Sequence, residues 1–299
     1  MGVGTSEKID AELLAEPTAE SVYWEVNNVE LHVVTAGNEG DPVVVFLHGF
    51  PEFWYSWREH VQPFVDAGYR VLIPDQRGYY LSETPSGTDA YRISLLSGDI
   101  AELLENTGAE PAHVVGHDWG ASVAWDLSLR HPDVVDRLAI LNVPHPTVFV
   151  ETLTSSVQQM RKSWYMFFFQ LPWIPEWYMR RNDYAFPTAA LRGAQAGTFS
   201  ETDLRRYRAA WDRGNSLTGM INWYRALFRH REDPPRETVS APTLVCWGER
   251  DQFLLTEMAA KSLDYCDQGR LERFPDATHW IHHEQPARVT EVLLDHFQA

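Results

Sequence analysis

The chain of 299 residues is 44% hydrophobic and 13% aromatic, enough to bury a large core, and suits one α/β unit carrying an insertion. A formal net charge of -17 excludes a phosphate-binding nucleic-acid face, which needs clustered Lys and Arg, and it opposes an anionic membrane surface. Two cysteines, Cys246 and Cys266, cannot staple a chain of this size, so a reducing compartment, the cytoplasm, is expected.

The first twenty residues lack the basic and then apolar regions of a signal peptide, and no apolar run reaches the ~18 residues of a membrane span. Residues 1–6 satisfy the myristoylation pattern, but so short a pattern arises by chance in Gly-rich starts and no lipid is expected. Residues 22–26 and 29–36 alternate in polarity around Asn27-Asn28, which predicts a hairpin. Residues 42–47, PVVVFL, are a short continuous apolar run of the kind buried on both faces, and 69–74, 113–115, 138–141 and 242–247 repeat it. Helical periodicity fills much of the space between them, most clearly at 94–107 and 121–130. Strand alternating with helix predicts an α/β fold with a mostly parallel, doubly wound sheet.

From about Pro146 to Ser240 the Val/Ile strands disappear and large aromatics take over, as in SWYMFFFQLPWIPEWYM at 163–179. We expect an α-helical cap at 146–240, inserted between two parts of the core at 1–145 and 241–299. Most of Trp164, Phe167, Phe168, Phe169, Trp173 and Trp177 are expected to pack a core, with some facing an apolar cleft below the cap.

The run GHDWGA at 116–121 has the form of a nucleophile elbow with Asp118 where serine is usual, placed where a buried strand gives way to a helix. Taken alone, the motif fits equally well a helix capped by Asp118. His48-Gly49-Phe50-Pro51, after the third strand, lies where this topology supplies one backbone N–H of an oxyanion hole, the other coming from the residue after the nucleophile. Phe50 and Trp119 are the candidates.

HGFPEFWYSWR, PDQRGY and GHDWGA together resemble the α/β-hydrolase fold, and its epoxide hydrolase family in particular, over residues 22 to 299. The triad order of that fold then places the acid at Asp251, after the strand ending CWG, and the base at His279 in ATHW. Glu249 is a weaker rival for the acid, and Asn142, at the other point where relatives carry one, is not a carboxylate. The resemblance also implies that Tyr165 and Tyr224 stand over the nucleophile as proton donors. His48, Pro51, Tyr80, Phe168 and Trp280 are expected to line the pocket. His48 is also grouped with Asp75, Arg77, His117 and His145 as scaffold hydrogen-bonding residues. Tyr80 stands where many members carry glycine, so that either the loop bends differently or Tyr80 lines the cleft, and this bears on the shape of substrate accepted and not on the chemistry.

A carboxylate needs no base to attack a saturated carbon, and the ester it forms has its carbonyl on the protein, so a histidine is free to activate water for the second half. The implied reaction converts an apolar epoxide and water to a vicinal diol, without cofactor or metal. His282 and His283 beside His279 complete no recognised ligand spacing. A haloalkane dehalogenase using the same Asp is the alternative, and a non-catalytic receptor on the same fold a remoter one. Monomer and homodimer are both compatible with the sequence.

Overall fold

Two strands, β1 (Glu20–Val26) and β2 (Val29–Ala36), open the fold in a computed structural model that describes residues 18–108 and 110–299. The myristoylation pattern lies outside the described residues. The strands pair antiparallel from Glu20↔Thr35 to Val26↔Val29. Asn27 and Asn28 make the turn at φ 46° and 59°, left-handed geometry that asparagine tolerates and a right-twisted two-residue hairpin requires.

The remaining strands are β3 (Val43–Leu47), β4 (Arg70–Pro74), β5 (Ala112–His117), β6 (Val135–Leu141), β7 (Thr243–Gly248) and β8 (Gly269–Phe274). The sheet order is β1-β2-β4-β3-β5-β6-β7-β8. β2 meets β4 antiparallel, and from β4 to β8 every pairing is parallel. Every residue of β3, β5 and β7 is buried, as their unbroken apolar runs require. Helix Ile93–Thr107 packs on Trp119–Arg130, and Arg58–Asp66 on Pro286–Gln298, the two pairs covering the sheet.

Strand order fixes where a ligand can enter. From β3 the chain crosses outward to β4 and then back to β5 on the other side, so the carboxyl ends of β3 and β5 flank the point where strand order reverses, the usual ligand crevice of such sheets. Between β6 and β7 the named elements of the chain are all helices, from Pro146–Ser155 to Ser216–Arg229. Hydrogen bonds tie these inserted helices to the loops at the crevice. Trp211 donates to the Pro51 carbonyl, Tyr207 to Glu52 and Trp223 to the Arg77 carbonyl, at 2.5, 3.0 and 2.9 Å.

Candidate active site

Asp118 sits between β5 and the helix Trp119–Arg130 with φ 49° and ψ -121°, a conformation costly for a residue with a Cβ. Its neighbours permit the strain. A Cβ on Gly49 would collide with the Asp118 side chain, and one on Gly120 with the Leu47 carbonyl, so only glycine lets β3 and the elbow approach so closely. Asp118 occupies the N-cap position, yet its carboxylate makes no capping bond. Instead Oδ1 accepts from the Phe50 N–H at 2.8 Å and Oδ2 lies 3.4 Å from His279 Nε2. Trp119 opens the helix, where a backbone N–H has no partner within the helix.

His279 Nδ1 donates to Asp251 Oδ2 at 2.7 Å. The same oxygen accepts from Asn142 Nδ2 at 2.8 Å, and Oδ1 accepts from the Phe253 and Leu254 N–H groups at 2.6 and 2.9 Å. Asp251 is thus fully bonded and cannot turn. Glu249 instead faces Arg273, 2.8 Å away. The structure therefore brings Asp118, His279 and Asp251 into one line and leaves Glu249 out of it.

A cavity of about 450 Å³ opens in front of Asp118 and His279. Tyr165 and Tyr224 form its opposite wall, with ring centroids 5.8 Å apart, and Phe50 packs edge-on to Tyr224 at 5.2 Å. Trp280 lines it as expected from the sequence; His48, Pro51, Tyr80 and Phe168 do not. His48 is wholly buried and accepts from the Gln76 N–H at 3.1 Å, and Pro51 is held by Trp211. Tyr80 keeps a left-handed φ of 43° where glycine is the easier choice, its ring 4.8 Å from that of Phe53. Phe168 packs on Tyr178 at 5.5 Å, and the cavity wall is Phe169, four residues after Tyr165 and on the same helical face. Phe186, Gln252 and Phe253 also line it and were not anticipated, although the last two directly follow Asp251.

A family model described as alpha/beta hydrolase fold matches residues 42–286. A Bacillus subtilis AB hydrolase superfamily protein, YfhM, is 44% identical over 92% of this chain and 97% of its own. Epoxide hydrolase 1 of Caenorhabditis elegans is 37% identical over 91% of this chain and 69% of its own. The chain belongs to the epoxide hydrolase family of α/β-hydrolases. Among solved structures, an epoxide hydrolase from Bacillus megaterium, a point mutant complexed with its diol product, superposes with a TM-score of 0.86 at 30% identity, covering 93% of this chain and all of that one. The epoxide hydrolase fold thus extends over the whole crevice, inserted helices included.

The electrostatics of this hydrolase follow from burial. Burial pushes the Asp118 carboxyl up, but the hydrogen bond and charge of His279, with His117 and the Phe50 N–H, outweigh it and hold the group below its ordinary value. The same balance, burial opposed chiefly by His279, keeps Asp251 ionised. Burial lowers the His279 imidazole, and the two carboxylates that flank it more than reverse this and leave it raised. Tyr165 and Tyr224 are pushed up, by burial first and by the Asp118 charge second, so both phenols keep their protons.

Glu52, in the HGFPE run, is the functional neighbour that sequence reasoning missed. Its Oε1 accepts from His283 Nε2 at 2.6 Å and from Tyr207 at 3.0 Å, and Oε2 lies 3.2 Å from His117 Nδ1. His117 Nε2 in turn donates to the His279 carbonyl at 2.9 Å. Glu52, His282 and His283 have donor atoms close enough together to suggest a cation. The 2.6 Å oxygen–nitrogen separation is that of a hydrogen bond, however, well short of the roughly 3.3 Å between two ligands of one tetrahedral ion. The cluster is a polar tie between the helix Glu201–Asp212 and the loop that carries His279.

Proposed function

We propose that this hydrolase opens an apolar epoxide to a vicinal diol through a covalent ester on Asp118, with the inserted helices acting as the cap. The single observation that carries this reading is the placement of two protonated phenols, Tyr165 and Tyr224, across the cavity from an ionised Asp118. A halide leaving group is already a stable anion and needs no acid. An epoxide opens to an alkoxide, which demands a proton donor in the transition state.

In the first step an Asp118 oxygen attacks a ring carbon, the carbon–oxygen bond of the ring breaks, and the epoxide oxygen takes a proton from the tyrosine pair. An alkyl ester and one hydroxyl result. Esterification removes the negative charge that faces His279 Nε2, so the imidazolium loses one of the two influences that raise it, gives its proton to the tyrosinate left by ring opening and becomes a base when water must be activated. His279 takes a proton from water, and the hydroxide adds to Cγ of Asp118. The Phe50 and Trp119 N–H groups stabilise the oxyanion, and Asp251 holds the imidazole tautomer. Collapse breaks the bond from Cγ to the alkoxide, which takes the proton of the new Asp118 carboxyl and leaves as the diol, so that the Asp118 carboxylate and the His279 imidazolium of the resting enzyme are restored.

The test is a parallel assay with styrene oxide and a 1-haloalkane. Diol formation without halide release is expected, whereas halide release alone would assign the site to dehalogenation. A single turnover in heavy-oxygen water places the label in the protein under this mechanism, because water attacks the ester carbonyl of Asp118. Label found directly in the diol would mean that no ester forms.

A further inference from the structure

The exposed large hydrophobic side chains among the described residues are confined to one face. All lie between residues 157 and 178 except Phe228, whose ring packs on Phe167 at 5.4 Å. Most of Trp164, Phe167, Phe168, Phe169, Trp173 and Trp177 were expected to pack a core, yet Trp173 is 70% exposed, Trp177 53% and Trp164 52%. Patches of this kind mark interaction surfaces.

The charge of this face runs against that of the molecule. Over residues 156–181 the chain carries Arg161, Lys162, Arg180 and Arg181 against one acid, Glu176, while the whole chain is at -17; Arg180 faces Asp212 at 3.6 Å, and Asp183 just beyond is paired with Arg208 at 3.4 Å. Glu176 is itself neutralised by Arg225 at 2.6 Å. Arg161, Lys162 and Trp164 also line the cavity, and Arg161 and Trp164 are exposed, so the cavity opens on this same face. Exposed Trp and Tyr rings framed by Arg and Lys form the pattern that settles at the headgroup level of an anionic bilayer.

We propose that this face docks peripherally on an anionic lipid surface, with the cavity mouth turned toward the lipid. The net charge of the chain opposes such contact on average; the local charge reverses it where contact occurs. Docking depends on the exposed rings and charges alone and does not require the epoxide reading.

The test is co-sedimentation with vesicles of phosphatidylglycerol and phosphatidylcholine, compared with pure phosphatidylcholine. Pelleting with the anionic vesicles alone is expected, weakening as salt rises. The pairs Trp173→Ser with Trp177→Ser and Arg180→Glu with Arg181→Glu should each lower vesicle binding about tenfold while leaving the thermal unfolding midpoint near that of wild type. The proposal is overturned if wild type stays in the supernatant at low salt, or if both variants bind as wild type does. It is also overturned if sedimentation equilibrium shows that these variants dissociate a dimer and no vesicle binding is seen. Turnover is not measured, so failure here leaves the assignment of the reaction intact, and failure of that assignment leaves this one testable.

Discussion

The two walls of the cavity are held by different forces. On the Asp118 side each polar group is fixed by directional bonds: Asp251 accepts four, His279 spans two carboxylates, and Phe50 pins Asp118. On the Tyr165 side the phenols are placed by ring packing, Tyr224 lying 4.9 Å from Phe169 and 5.0 Å from Trp119 by centroid. Hydrogen bonds specify angles and protonation, which nucleophile and base require. Packing specifies position and dryness, which suffices for a donor that must only meet an oxygen. The first wall should therefore fail abruptly when altered and the second by degrees.

The largest effect is expected at the nucleophile. Asp118→Ala should lower kcat by about 10⁴-fold or more, since the remaining groups act only in concert with it. His279→Gln should be as slow in turnover but accumulate an ester, seen by mass spectrometry as protein plus one substrate mass on Asp118; an adduct on another residue would reassign the nucleophile. On the packed wall, Tyr165→Phe and Tyr224→Phe should each cost about tenfold to a hundredfold in the single-turnover rate of ester formation, and the pair about 10³-fold. Should the pair retain the wild-type rate, the contrast between the walls would lose its chemical meaning.

Smaller effects sharpen the comparison. Asn142→Ala removes one of four bonds to Asp251 and should cost about 1–3 kcal/mol in denaturant unfolding, with a slower hydrolytic step and an unchanged rate of ester formation. Turnover should fall in acid with the imidazole of the ester form, because the proton on His279 blocks water activation. That limb should lie below the raised value of the resting enzyme, where Asp118 is still charged. A limb that tracks the resting imidazole would place the base elsewhere.

Much of the first wall was legible in the chain. Asp118 and Asp251 follow strands with clear apolar runs, whereas the strand before His279, GRLERF, carries Arg270, Glu272 and Arg273 and its place is set by the triad order of the fold, with all three strand ends at the same end of a parallel sheet. The change from strand to helix after β6, where a helix begins at Pro146, was visible because large aromatics replace Val and Ile beyond it. Less of the second wall was legible. Phe168 rather than Phe169 was expected in the pocket, since three adjacent phenylalanines differ only in the helical angle at which they leave the axis. Tyr80 was left open between lining the cleft and bending its loop, and its ring found Phe53 instead.

Fold class, the strand ends that carry Asp118, Asp251 and His279 and the presence of a carboxylate at the elbow were written in the linear pattern, because periodicity and strand-end position are local properties that survive without neighbours. Which aromatic rings face the cavity, that Glu52 ties Tyr207 and His283 together, and that the apolar surplus of residues 157–178 lies on the outside were decided only when distant segments packed. These outcomes depend on which surfaces are already covered, and no single stretch of chain carries that information.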